Sequence, residues 1–95
     1  MAAYFIVDFE LRDSVSMREY VERVPDIIKK FGGRYLVRGG PAETIEGDWR
    51  PNRIVVLEFP DFTQAKLFYD SDEYQPYKKV RLNAGTSRMI LVGGV

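Results

Sequence analysis

The 95-residue chain contains no cysteine and no histidine. Without cysteine there is no disulfide framework, no thiol nucleophile and no thiolate metal site. Without histidine the commonest general base, zinc ligand and proximal haem ligand are all missing. No metal or cofactor is expected, and acid–base chemistry falls to carboxylates, tyrosine or lysine. An excess of one charge is lacking too. Lys plus Arg (14) equals Asp plus Glu (14), which removes any general pull toward nucleic acid or anionic membrane. The start, Met1-Ala2-Ala3 running into Tyr4-Phe5-Ile6-Val7, has neither a basic leader nor a long apolar run. Secretion and membrane spanning are therefore not expected, and the cytoplasm is the default location. No Gly-x-Gly-x-x-Gly or Gly-Lys-Ser/Thr pattern occurs, so the glycines at 32–33 and 39–40 are turn and cap residues.

The length suits one domain, expected over residues 1–95. Tyr4 to Leu11 alternates and is rich in aromatic and β-branched residues, the pattern of a strand. Ser16 with Glu19 predicts a capping box, with Val15 and Tyr20 placed for a hydrophobic staple. The helix that follows carries Met17, Tyr20, Val21, Val24, Ile28 and Phe31 as one apolar stripe, is interrupted by Pro25, and stops at Gly32-Gly33. Arg34 to Arg38 reads as a second strand and Arg53 to Phe59 as a third. Between them lies a loop, with a strand extension considered at residues 43–46. Asp61 predicts a helix N-cap and Ser71 a second one, opening a segment through Tyr74, Tyr77 and Arg81. Gly85 is expected to break the chain before a last strand, Ser87 to Val92. The order is β-α-β-β-α-β, an α+β arrangement of ferredoxin-like type with a four-stranded antiparallel sheet and helices on one face.

Alternation sorts the strand residues into two faces. Phe5, Val7, Phe9 and Leu11, with Tyr35, Val37, Val55, Leu57, Phe59, Met89 and Leu91, form an apolar set expected under the helices. The other set mixes Ile6, Leu36, Ile54, Val56, Ile90 and Val92 with Asp8, Glu10, Arg34, Arg38, Glu58 and Arg88. With both helices on one side, this mixed face lies bare. Each aliphatic there is worth about 1.5–3 kcal/mol at full burial, so a homodimer closing this open sheet face is expected. The strand order of a split βαβ sheet puts Asp8 beside the strand of Arg88, and Glu58 beside that of Arg38. An RNA-recognition domain shares the element order but stacks bases on aromatics of the first and third strands. Ile6, Asp8, Ile54, Val56 and Glu58 offer no such platform, so no nucleic-acid partner is expected.

The stretch Gly32-Gly33-Arg34-Tyr35-Leu36-Val37-Arg38-Gly39-Gly40, then Glu46-Gly47-Asp48-Trp49 with Pro51 and Arg53, Glu58-Phe59-Pro60, and Tyr69-Asp70-Ser71-Asp72-Glu73-Tyr74 resemble a small bacterial family. It is the family known as domain of unknown function 1330, within the dimeric α+β barrel superfamily. Phe68-Tyr69 stands where that family's pattern has Trp-Tyr. The resemblance implies a ferredoxin-like protomer whose sheet faces that of a second copy, with a cavity between sheet and helices or inside the barrel. The wider superfamily holds cofactor-free monooxygenases, lactone isomerases, dehydratases and haem enzymes. The haem branch uses a histidine ligand that this chain lacks.

Several residues stand out as candidates. Asp8 and Glu58 are the general-base candidates, because a half-buried carboxylate can have its pKa raised. Arg38 and Arg53 bracket the long loop and are placed to converge on a carboxylate or phosphate, or to pair with neighbouring acids. Trp49, the only tryptophan, is either a pocket wall, an interface anchor or a pin holding the loop on the sheet. Tyr69 and Tyr74, with Arg88 on the charged face, complete the set of candidate ligand contacts. Two readings of function follow. One is a homodimeric barrel that binds a small organic molecule and extends to cofactor-free acid–base or oxygenase- and isomerase-like chemistry. The other is a non-catalytic structural or regulatory dimer whose charged sheet face is only structural.

Overall fold

The computed structural model describes residues 1–95. Strand β1 (Ala3–Leu11) is followed by helix α1 (Arg18–Lys30), strands β2 (Arg34–Arg38) and β3 (Ile54–Phe59), helices α2 (Phe62–Asp70) and α3 (Gln75–Ala84), and strand β4 (Gly85–Gly93). The strands form one antiparallel sheet in the order β2-β3-β1-β4. This is the ferredoxin-like order expected from the sequence. The helices cover one face, giving a slab of 37 × 35 × 17 Å.

The core lies where the alternation placed it. Phe5, Val7, Phe9, Leu57 and Phe59 from the sheet are buried against Val24 and Ile28 of α1 and Ala65 and Phe68 of α2. The aromatic members interlock, with Phe5 edge-on to Phe59 at 5.9 Å and Phe59 stacked on Phe68 at 5.2 Å. Asp61 caps α2 as predicted, accepting from the Gln64 backbone N–H at 2.8 Å.

Four local readings change. Ser16 does not cap α1. The Asp13 carboxylate accepts from the Val15 and Ser16 backbone N–H groups at 3.1 and 3.2 Å, and α1 begins at Arg18 with no side-chain cap. The Ser16 hydroxyl instead turns back and donates to the Asp13 carbonyl at 3.2 Å, away from the first turn of the helix. Ser71 serves two helices. Its hydroxyl donates to Phe68 O, closing α2, and accepts from Tyr74 N ahead of α3. Gly85 starts β4, paired with Leu11, rather than interrupting the chain, and a Cβ there would collide with the Glu10 carbonyl of the neighbouring strand. Residues 43–46 form no strand.

The largest departure is in β2. Its pairing with β3 matches Tyr35 to Leu57 but Val37 to Val56 and Arg38 to Val55, so Leu36 is an extra residue. This is a β-bulge, which changes the face that later residues present. Val37, expected under the helices, shares the open face with Val56. Arg38, expected on the open face, shares the helix side with Val55.

Candidate functional site

A cavity of about 530 Å³ lies between the sheet and the helices, a size suited to a small organic molecule. Its walls are mostly apolar and aromatic, including Phe5, Val7, Phe9, Leu57 and Phe68. Three arginines line it, Arg38, Arg53 and Arg81, and no carboxylate does.

Each arginine arrives by a different route. The β2 bulge turns Arg38 to the helix side, where it lines the cavity from an exposed position and its guanidinium lies 4.3 Å from the centre of the Tyr35 ring. Arg53 precedes β3, and its guanidinium crosses the backbone at Gly39. A Cβ at that position would land on Arg53 Nε, and Gly39 also holds φ at +71°. Arg81 projects from α3 and is the one charged residue in the core. Its Nε donates to the Tyr74 hydroxyl at 3.3 Å and its Nη1 donates to Ser87 Oγ. Tyr74 in turn shares a 2.7 Å hydrogen bond with the Tyr20 hydroxyl. Burial pushes the Tyr20 phenol far above its ordinary value, reinforced by the Tyr74 hydroxyl and opposed by the Arg81 charge. Tyr35 is also pushed up by burial, with the Arg38 charge opposing. At Arg81, burial works against the charge, but Tyr74, joined by Tyr20 and Tyr69, outweighs it, so the guanidinium pKa is raised above its ordinary value.

A second hollow, about 620 Å³, is a polar groove lined by Asp8, Glu10, Asp48, Trp49, Arg50, Asn52, Thr86 and Arg88. Asp8 organises it. One carboxylate oxygen accepts from the Trp49 indole N–H at 3.1 Å and the other from the Asn52 backbone N–H at 2.9 Å. The expected rise in the Asp8 pKa is reversed. Desolvation raises it, but the hydrogen bonds from Asn52 and Trp49, joined by the Arg53 backbone and the Arg88 charge, bring it below its ordinary value. Trp49 is 54% exposed, so it pins the loop to the sheet from outside. Glu58 lies outside both hollows. Its partner is Arg34, whose Nε donates to it at 2.7 Å, and not Arg38, which the bulge carries to the opposite face.

The candidate residues therefore divide. Arg38, Arg53, Tyr69 and Tyr74 line the helix-side cavity. Asp8, Trp49 and Arg88 line the groove on the other side. Tyr20, Tyr35 and Arg81 belong to the cavity and were not among the sequence candidates. For Arg81 a signal existed: it extends the three- and four-residue spacing of Tyr74 and Tyr77, so a charged residue occupies a position of the buried stripe. No three His, Cys, Asp or Glu side chains gather into a metal-ligating group, and no helix is long and apolar enough to cross a membrane.

The family model described as domain of unknown function (DUF1330) matches residues 2–95. Among solved structures, the chain is similar to the RPA0582 protein of unknown function from Rhodopseudomonas palustris, at a TM-score of 0.78 and 16% identity. That match covers 99% of this chain and 82% of the other. The methylated form of RPA0582 matches at a TM-score of 0.78 and 14% identity, over 99% of this chain and 81% of that one. At such identities the likeness is one of fold. No curated protein matches.

Proposed function

The chain belongs to the DUF1330 family, whose description assigns no reaction, and we propose from its geometry that it binds a small organic molecule between sheet and helices as a homodimer. The observation that carries this reading is the cavity of about 530 Å³, apolar in its walls and furnished with convergent polar groups. Such a combination is the usual form of a small-molecule site. Acid–base catalysis at Asp8 or Glu58 has no part in this reading. The first carboxylate holds the long loop, and the second pairs with Arg34.

The dimer reading rests on the open face. Val37 pairs with Val56, Val56 with Ile6, and Ile6 with Ile90, a row of aliphatics crossing all four strands. Ile90 is 60% exposed and Val37 39%. On one side of this row lie Arg34 and Glu58, and on the other Asp8 and Arg88. Each flank thus carries both signs, so a second copy of the same face meets no uniform repulsion. Monomers rarely leave such a surface bare.

The binding reading is tested with the neutral fluorophore N-phenyl-1-naphthylamine. Its emission is expected to rise on mixing with the protein. Val21→Trp, which adds bulk at the cavity rim, is expected to suppress that rise. No rise at tens of micromolar protein, or an unaltered rise in the variant, overturns the reading.

A further inference from the structure

We infer that the molecule held in this cavity is an organic carboxylate with an aromatic or branched apolar body, its anionic group at the arginine end. This deepens the binding reading and rests on it. The basic end of the cavity is built around Arg81. It is buried, and none of the chain's three ion pairs includes it. Its two hydrogen-bond acceptors are neutral hydroxyls, Tyr74 and Ser87. A guanidinium has five N–H donors and stays protonated in proteins, so this cation enters the core with its charge unmatched. Buried charges are normally paired. An anion in the cavity supplies the missing partner.

The sheet register brings the other two arginines to the same end. Ser87, which holds Arg81, stands opposite Phe9 of β1. On the other side of Phe9, the Phe9 N–H donates to the Arg53 carbonyl at 2.9 Å. Arg81 and Arg53 are thus anchored at one level of the sheet, two strand spacings or about 10 Å apart. Both side chains are long enough to meet a group between them. Arg38, opposite Val55, joins from the adjacent strand. The remaining polar side chains of the lining are Ser14 and tyrosine hydroxyls, so no acid competes for the arginines. Toward the other end, Phe5 lies 5.9 Å from Tyr69 and 6.5 Å from Phe68, an aromatic wall for the apolar body. The cavity is therefore polarised, basic at one end and aromatic at the other. A planar guanidinium matches a carboxylate in two parallel hydrogen bonds.

The test compares naphthalene-2-carboxylate with its neutral isostere naphthalene-2-carboxamide as displacers of N-phenyl-1-naphthylamine from the wild-type protein. The carboxylate is expected to displace the probe at concentrations roughly ten- to hundredfold lower, as charge-assisted hydrogen bonds warrant. Arg81→Met is expected to abolish the preference, and Arg53→Met at the cavity mouth to reduce it. Equal displacement by the two compounds, or displacement by neither while the fluorophore still binds, overturns the carboxylate inference and leaves the binding reading standing. Failure of the fluorophore itself to bind overturns both. If Arg81→Met does not fold, the wild-type comparison decides alone.

Discussion

Arg38 stands opposite Val55, one step out of the register that alternation along β2 assigns to it. A single extra residue, Leu36, moves a cation from the open side of the sheet to the lining of the cavity and moves Val37 the other way. Side-chain NOEs from Arg38 are expected to the Tyr35 ring and Val55, with none to Glu58. Contacts between Arg38 and Glu58 would show the bulge to be absent. Deleting Leu36 removes the unpaired residue and is expected to leave Val37 opposite Val56 and Arg38 opposite Val55, so the Arg38–Val55 NOEs persist in the variant; their loss would show that Leu36 is not the extra residue.

Asp8 ties the long loop to β1 through Trp49 and Asn52. Asp8→Ala is expected to cost about 1–3 kcal/mol and to increase iodide quenching of Trp49, whose emission reports the loop alone. The pH dependence has a definite sign. The folded pKa of Asp8 is depressed from 3.8, so its contribution is fully present above that value and is lost as pH falls through the lower folded value. Acid unfolding of Asp8→Asn is expected to be shallower than wild type over that window. Identical acid transitions would remove Asp8 from any such role.

Tyr20 is buried against Tyr74, and its pKa is raised above 10.0. Here the stabilising contribution is full below 10.0 and declines as pH rises above it, since only the unfolded chain releases the proton. Alkaline titration at 295 nm is expected to show tyrosines that ionise only as the chain unfolds. Tyr20→Phe is expected to remove one of them and to destabilise by about 1 kcal/mol. A single smooth titration near the ordinary value, with the fold intact, would contradict this placement.

Gly39 leaves room for the Arg53 guanidinium and holds a left-handed backbone. Gly39→Ala is expected to cost about 1–3 kcal/mol from the backbone alone. It should also weaken carboxylate displacement of the fluorophore, because Arg53 must move. A variant as stable as wild type, with unchanged displacement, would refute the contact.

On the open face, Ile90→Asp puts a carboxylate into the aliphatic row formed with Ile6 and Val56. Light scattering at tens of micromolar is expected to give a dimer mass for wild type and a monomer mass for the variant. A wild-type monomer at that concentration would leave the open face without its proposed partner.

The sequence alone determined the element order, the helix-facing core and the cap at Asp61, because these follow from local periodicity and from side chains bonding to their own backbone neighbours. The lack of histidine and cysteine narrowed the chemistry in the same direct way. The cavity was decided by tertiary structure. A bulge is a property of two paired strands, so nothing within Arg34–Arg38 marked Leu36 as the extra residue, and Arg38 was assigned to the wrong face. Asp8 looked like a base because its strand position is half-buried, but its partners lie more than forty residues away on a loop without periodicity. Arg81, Arg53 and Arg38 become neighbours only when β4, β1, β3 and β2 align in register and α3 folds back across them. Long-range convergence of charge is set by the whole sheet, and no stretch of the chain carries it alone.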